Sequence, residues 1–140
     1  MTDNALPVDT GLTDFLHASM PFAGVLDVQA VSFDKEQVLA QISWAADKCT
    51  TGGIIHGGYL MGVADTIGAA AAIANLPEGA GTATIESKTN FLRGAPEGTY
   101  TVTATPVHVG RTTIVVQTDI TRADGKLVTR TTQTQAVLQP

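Results

Sequence analysis

Gly52 to Asp65 reads G-G-I-I-H-G-G-Y-L-M-G-V-A-D, which sets a histidine and paired glycines at a turn and leaves one acid inside an apolar run. An unpaired carboxylate in a protein interior is costly, so Asp65 needs a partner, a water or a catalytic task. A carboxylate there can activate a water as general base or attack a carbonyl itself. The bland alternative is that Asp65 caps a neighbouring backbone group or pairs with an arginine from a strand.

Other chemistries find less support. Cys49 is the single cysteine, which excludes an intramolecular disulfide and fits a reducing compartment. A Cys49/His56 dyad would need a third, orienting group, and none is identifiable. His17, His56 and His108 lack ligand spacing, so no metal site is expected. The chain has no G-x-S-x-G elbow and no glycine-rich dinucleotide or phosphate loop.

The elements that must position Asp65 follow from periodicity. Tyr59 to Ala74 carries only Asp65 and Thr66 as clearly polar side chains, which predicts a core helix buried nearly all round. It is too short and too polar at its centre to span a membrane. Its glycines and alanines keep its surface thin, and Asn75 and Pro77 end it. A helical segment is expected around Leu12 to Ala18, and two strands between Val25 and Trp44 with a turn near Asp34-Lys35. Beyond the breaker at Pro77 to Gly81, four segments rich in threonine, valine and isoleucine read as strands: Thr82 to Leu92, Thr99 to Val109, Thr112 to Thr121 and Lys126 to Leu138. The short connections between them, Gly94 to Gly98, Gly110-Arg111 and Ala123 to Gly125, predict successive hairpins. In the second segment Tyr100, Val102, Ala104, Pro106 and His108 share an apolar face. One apolar sheet face and one apolar helix predict an α+β domain in which a mostly antiparallel sheet of about five or six strands curls round a central helix.

At 140 residues and 44% hydrophobic content the chain reads as a single domain over 1–140, with a helical or irregular lead-in over 1–20. Met1 to Thr10 shows no basic region followed by an apolar run, so neither a signal nor a transit peptide is expected, and the default location is cytoplasmic. A net charge of −5 and 5% aromatic residues argue against nucleic acid as a partner.

The combination of G-G-I-I-H-G-G at Gly52 to Gly58, an acid nine positions after the histidine, N-F-L-R at Asn90 to Arg93 and H-V-G-R-T at His108 to Thr112 resembles the hotdog fold and, within it, the PaaI-type acyl-coenzyme A thioesterases. That resemblance implies an enzyme that needs no cofactor, coenzyme A being part of its substrate. It implies an oxyanion hole at the Gly57 N–H, Asp65 as nucleophile or general base, and His56 as the residue that holds the turn. It further implies a hydroxyl near the acid on the strand after the helix, at Thr84, and substrate contacts at Gly58, Asn90, Arg93, Gly110 and Arg111. Six residues before the histidine many relatives carry asparagine or glutamine; here the position is Thr50, whose hydroxyl has a shorter reach than an amide.

Spacing adds an expectation of its own. Gly57 and Asp65 are eight residues apart, or about 12 Å along a helix, so one thioester carbon cannot lie beside both in a single helix. Two antiparallel helices related by a two-fold axis solve this with composite sites. A homodimer is therefore expected, and the resemblance extends this to a homotetramer built as a dimer of dimers. For the phosphates of coenzyme A, Arg111 in its tight turn is the leading candidate over Lys88, Arg93, Arg122, Lys126 and Arg130. An acyl-coenzyme A binding protein with little hydrolysis, and a hydratase or dehydratase of enoyl or hydroxyacyl thioesters, stay open as alternatives.

Overall fold

The computed structural model describes residues 5–140, so the expected lead-in falls partly on residues 1–4, outside the described part. Helix α1 (Thr10–Ser19) starts where the Asp9 carboxylate accepts the Leu12 N–H, and it stops at Met20 before Pro21 opens a short helix α2 (Pro21–Val25). Two contacts tie α1 to the sheet. The Thr13 hydroxyl accepts the Ala30 N–H at 2.9 Å, and the His17 ring meets the Val28 carbonyl at 2.7 Å. His17 thereby has a backbone partner.

Strands β1 (Gln29–Phe33) and β2 (Val38–Ser43) form an antiparallel pair around a turn in which Asp34 accepts the N–H groups of Glu36 and Gln37. Helix α3 (Gly57–Ile73) follows, then β3 (Gly81–Phe91), β4 (Thr99–Val109), β5 (Thr113–Arg122) and β6 (Leu127–Leu138). All pairs are antiparallel, in the spatial order β1-β2-β4-β5-β6-β3. The sheet curls round α3 as a hotdog fold.

Three expectations need correction. The Gly94 to Gly98 connection is not a hairpin: β3 pairs with β6 at one edge of the sheet, and the chain crosses to β4, which lies between β2 and β5. Short loops favour neighbouring strands, but Ala95 is buried and its carbonyl accepts the Ile55 N–H, which anchors the crossing to the loop before α3. Nor is α3 covered all round. Val63, Ile67, Ala70 and Ala71 are buried against the sheet, each large side chain contributing roughly 1.5–3 kcal/mol. The opposite stripe of Gly58, Met61, Asp65 and Ile73 is open in the single chain. Small residues on every side make such a helix look apolar throughout, whichever face the chain itself covers. In β4 a bulge between Pro106 and His108 also turns His108 out of the face that Tyr100, Val102 and Ala104 bury.

Candidate active site

The approach to α3 is a closed loop. The Lys48 carbonyl accepts the His56 N–H at 2.8 Å, Cys49 and Ile55 form an isolated bridge, and the Ile54 carbonyl accepts the Thr50 N–H at 2.8 Å. Gly52 and Gly53 turn the loop at φ of 84° and 73°, a region that other residues adopt only under strain. The Gly53 carbonyl accepts the Trp44 indole N–H at 2.8 Å. The tyrosine that follows is fixed as well. The Tyr59 hydroxyl donates to the Leu26 carbonyl, its ring lies 5.1 Å under the Lys48 ammonium, and burial together with Asp27 and Asp47 pushes its phenol up.

His56 caps α3. Its Nδ1 accepts the Gly58 N–H at 2.8 Å, so the ring acts there as a neutral acceptor. Leu60 donates the first bond of the helical ladder, to the His56 carbonyl. The Gly57 N–H is left without an acceptor among the described residues, pointing from a helix start where partial positive charge collects. The Phe91 ring covers the α-carbon of Gly57 closely, since a β-carbon there would lie 3.0 Å from it. Thr50 is exposed, and its hydroxyl makes no hydrogen bond among the described residues.

Asp65 projects from the open stripe of α3, two turns further along. Its Oδ1 accepts two hydrogen bonds, from the Thr84 hydroxyl at 2.9 Å and from Gln133 Nε2 at 3.0 Å. Its Oδ2 has no partner among the described residues. The Gln135 amide donates to the Thr84 hydroxyl at 2.8 Å, and the Gln135 carbonyl oxygen accepts from Thr82 at 3.1 Å. Gln133 and Gln135 are fully buried. Sequence reasoning had placed Thr84 beside the acid but missed both glutamines. The available signal was their phase, alternate positions shared with the buried Val137.

The candidate substrate contacts lie apart from Asp65 in the chain. Asn90 is exposed on β3 opposite Arg130, and Arg93 donates to the Leu127 carbonyl at 2.8 Å. Gly110 closes the β4–β5 turn through its N–H to Thr113, and a β-carbon there would strike that carbonyl at 2.9 Å. Arg130 and Arg122 are paired with Asp119 and Asp124 at 2.8 and 2.7 Å. Arg111 is exposed and makes no ion pair among the described residues. No His, Cys, Asp and Glu cluster able to hold a metal occurs among them. An apolar cavity of about 160 Å³ lies under α1, against Phe33, Ile67 and Ile73, and Asp65 does not line it. Tyr59, Leu60 and Met61 do not line it.

Residues 52–129, which hold the loop, the helix and Asp65, match the family model of the thioesterase superfamily. A protein of Saccharolobus solfataricus that bears an esterase name is 32% identical over 102 residues, 73% of this chain and 72% of its own length. The crystal structure of a thioesterase from Haemophilus influenzae superposes with a TM-score of 0.85 at 26% identity, over 99% of this chain and 96% of that one. The PaaI protein of the Escherichia coli phenylacetic acid degradation operon has the same fold, with a TM-score of 0.81 at 24% identity over 89% of each chain. No helix among the described residues is long and apolar enough to cross a membrane.

Proposed function

The chain belongs to the thioesterase superfamily, and from that membership and the environment of Asp65 we propose that it hydrolyses an acyl-coenzyme A thioester to the free acid and coenzyme A. The observation that carries this reading is the carboxylate of Asp65, held through Oδ1 by two donors while Oδ2 stays open. In the general-base route Oδ2 takes a proton from water as the water oxygen bonds to the thioester carbon. The C–S bond then breaks, and the thiolate leaves and takes up the proton. In the nucleophilic route Oδ2 bonds to that carbon as the C–S bond breaks and the thiolate leaves to take up a proton, and water then cleaves the resulting mixed anhydride to the free acid and the restored Asp65 carboxylate. Both routes place negative charge on the former carbonyl oxygen, which suits the free Gly57 N–H.

The reading requires two copies of the chain, because about 12 Å of rise separates Gly57 from Asp65 within one helix, whereas two antiparallel copies of α3 set Gly57 of one beside Asp65 of the other. Support comes from the open stripe of α3 and from the unpaired outer edge of β3, where Ala83 and Ile85 are exposed. A long bare strand edge invites pairing with a second copy. Arg111 is the proposed phosphate contact, because its guanidinium has no ion pair among the described residues while Arg122 and Arg130 are engaged. The proposed location is the cytoplasm.

Thiol release from a panel of aryl- and alkyl-acyl-coenzyme A esters tests the proposal. Asp65→Ala and Asp65→Asn are expected to lower kcat by about 100- to 10,000-fold with the fold intact by circular dichroism. Release unchanged in both variants overturns the role of Asp65. No release from any ester, with the same ligands raising Tm, replaces hydrolysis by binding and turns attention to Thr50.

A further inference from the structure

Gln133 is buried at the expense of stability. Its side chain is fully enclosed, yet its Oε1 finds no hydrogen-bond donor among the described residues. Among the described residues the Nε2 bond to Asp65 is the one side-chain hydrogen bond that offsets the loss of hydration. The helix is shaped to admit it. A β-carbon at Gly68 would sit 1.9 Å from Gln133 Oε1 and 2.6 Å from its Cδ, so any side chain at 68 would expel the amide.

The neighbouring bonds have a fixed direction. Gln135 Nε2 donates to the Thr84 hydroxyl, while the Thr82 hydroxyl is shared between the Ala136 carbonyl at 2.8 Å and Gln135 Oε1 at 3.1 Å. The single proton of Thr84 is then free only for Asp65, so Oδ1 must accept it. Gln133 supplies the second donor to the same oxygen. With two donors on Oδ1, rotation of the carboxylate is arrested and Oδ2 faces outward.

We propose that Gln133 is a positioning residue for the reaction at Asp65: its amide, admitted by Gly68, fixes which carboxylate oxygen meets the thioester or the attacking water. The inference rests on the thioesterase reading above and adds to it a residue that never touches substrate. A purely structural glutamine would stabilise the protein, whereas this one trades stability for aim.

Gln133→Met keeps the length and volume of the side chain and removes the donor. The expected result is a fall in kcat of about 10- to 100-fold with KM within about twofold, while Tm stays level or rises. Gln133→Glu adds a readout that packing alone would not move. Two carboxyl groups at this distance share one proton, and the shared proton preserves the bond to Oδ1. Activity of that variant should therefore fall as pH rises through the loss of the shared proton, a limb the parent protein lacks. Unchanged kcat in Gln133→Met, or kcat and Tm falling together, overturns the proposal. If the parent protein releases no thiol, the hydrolytic reading fails, and NMR of the Gln133 side-chain amide still decides the contact. Its shift should follow the ionisation of Asp65 and lie flat in Asp65→Asn; a flat response in the parent chain overturns the inference.

Discussion

Helix α3 lies against two unlike halves of one sheet. On the β4–β5 side it meets Val102, Ala104, Ile114, Val116 and Ile120, all fully buried and apolar. On the β6–β3 side the strand positions facing inward from Thr129 to Gln135 are Thr129, Thr131, Gln133 and Gln135, equally buried but polar, before the apolar Val137, with Thr82 and Thr84 beyond. The first half follows the alternation that folds a strand onto a core, and the second departs from it where the acid sits. The difference teaches where this fold holds itself together and where it spends stability on chemistry.

Substitutions can break that division. Beside the changes at Asp65 itself, the largest expected effect lies at the helix start that both halves support. Gly57→Pro deletes only the N–H of the first helical residue, a position proline tolerates, and His56 already has the extended backbone that precedes a proline. Made with Phe91→Ala to clear the ring, and compared with Phe91→Ala alone, it should lower kcat by about 100- to 1,000-fold without unfolding the helix. Ile120→Ala in the apolar half should cost about 2–5 kcal/mol in urea unfolding and leave kcat of the folded protein within about twofold. A large loss of kcat from that change would dissolve the division. The smallest effects give the sharpest contrast, because one substitution serves both halves. Thr118 is buried with its hydroxyl unpartnered among the described residues, so Thr118→Val should raise stability by about 1 kcal/mol and spare activity. Thr84→Val should do the reverse, with kcat lowered about tenfold and Tm nearly unmoved.

Much of the apolar half was legible in the sequence. The span of the long helix, all six strands and the buried face of β4 as far as Ala104 followed from periodicity, because each depends on residues close in the chain. The place of β3 did not, since a short glycine-rich connection says nothing about a crossing held by the bond from Ile55 to Ala95. Nor did the open stripe on α3, because a helix of alanines and glycines reads alike from every side. At the site, His56, its glycines and Asp65 stood out through spacing and type, whereas the roles of Gly57 and Thr84 came from the resemblance. Gln133 and Gln135 were hidden because a lone glutamine in a threonine-rich strand reads as a solvated position until its phase with Val137 is known.

The bulge in β3 has a consequence for how such a site can change over time. Thr84 lies opposite Gln135 and Glu86 opposite Thr134, with Ile85 as the extra residue between them. Alternation is a parity, and this one residue sets it for the rest of the strand. Point substitutions along β3 leave that parity untouched, so the sequence can drift there while the hydroxyl keeps its heading. Loss or gain of a single codon near Ile85 would instead reverse the heading of every residue on one side of it in a single step. Away from Thr84, a change of spelling along β3 is thus expected to disturb the site less than a change of length.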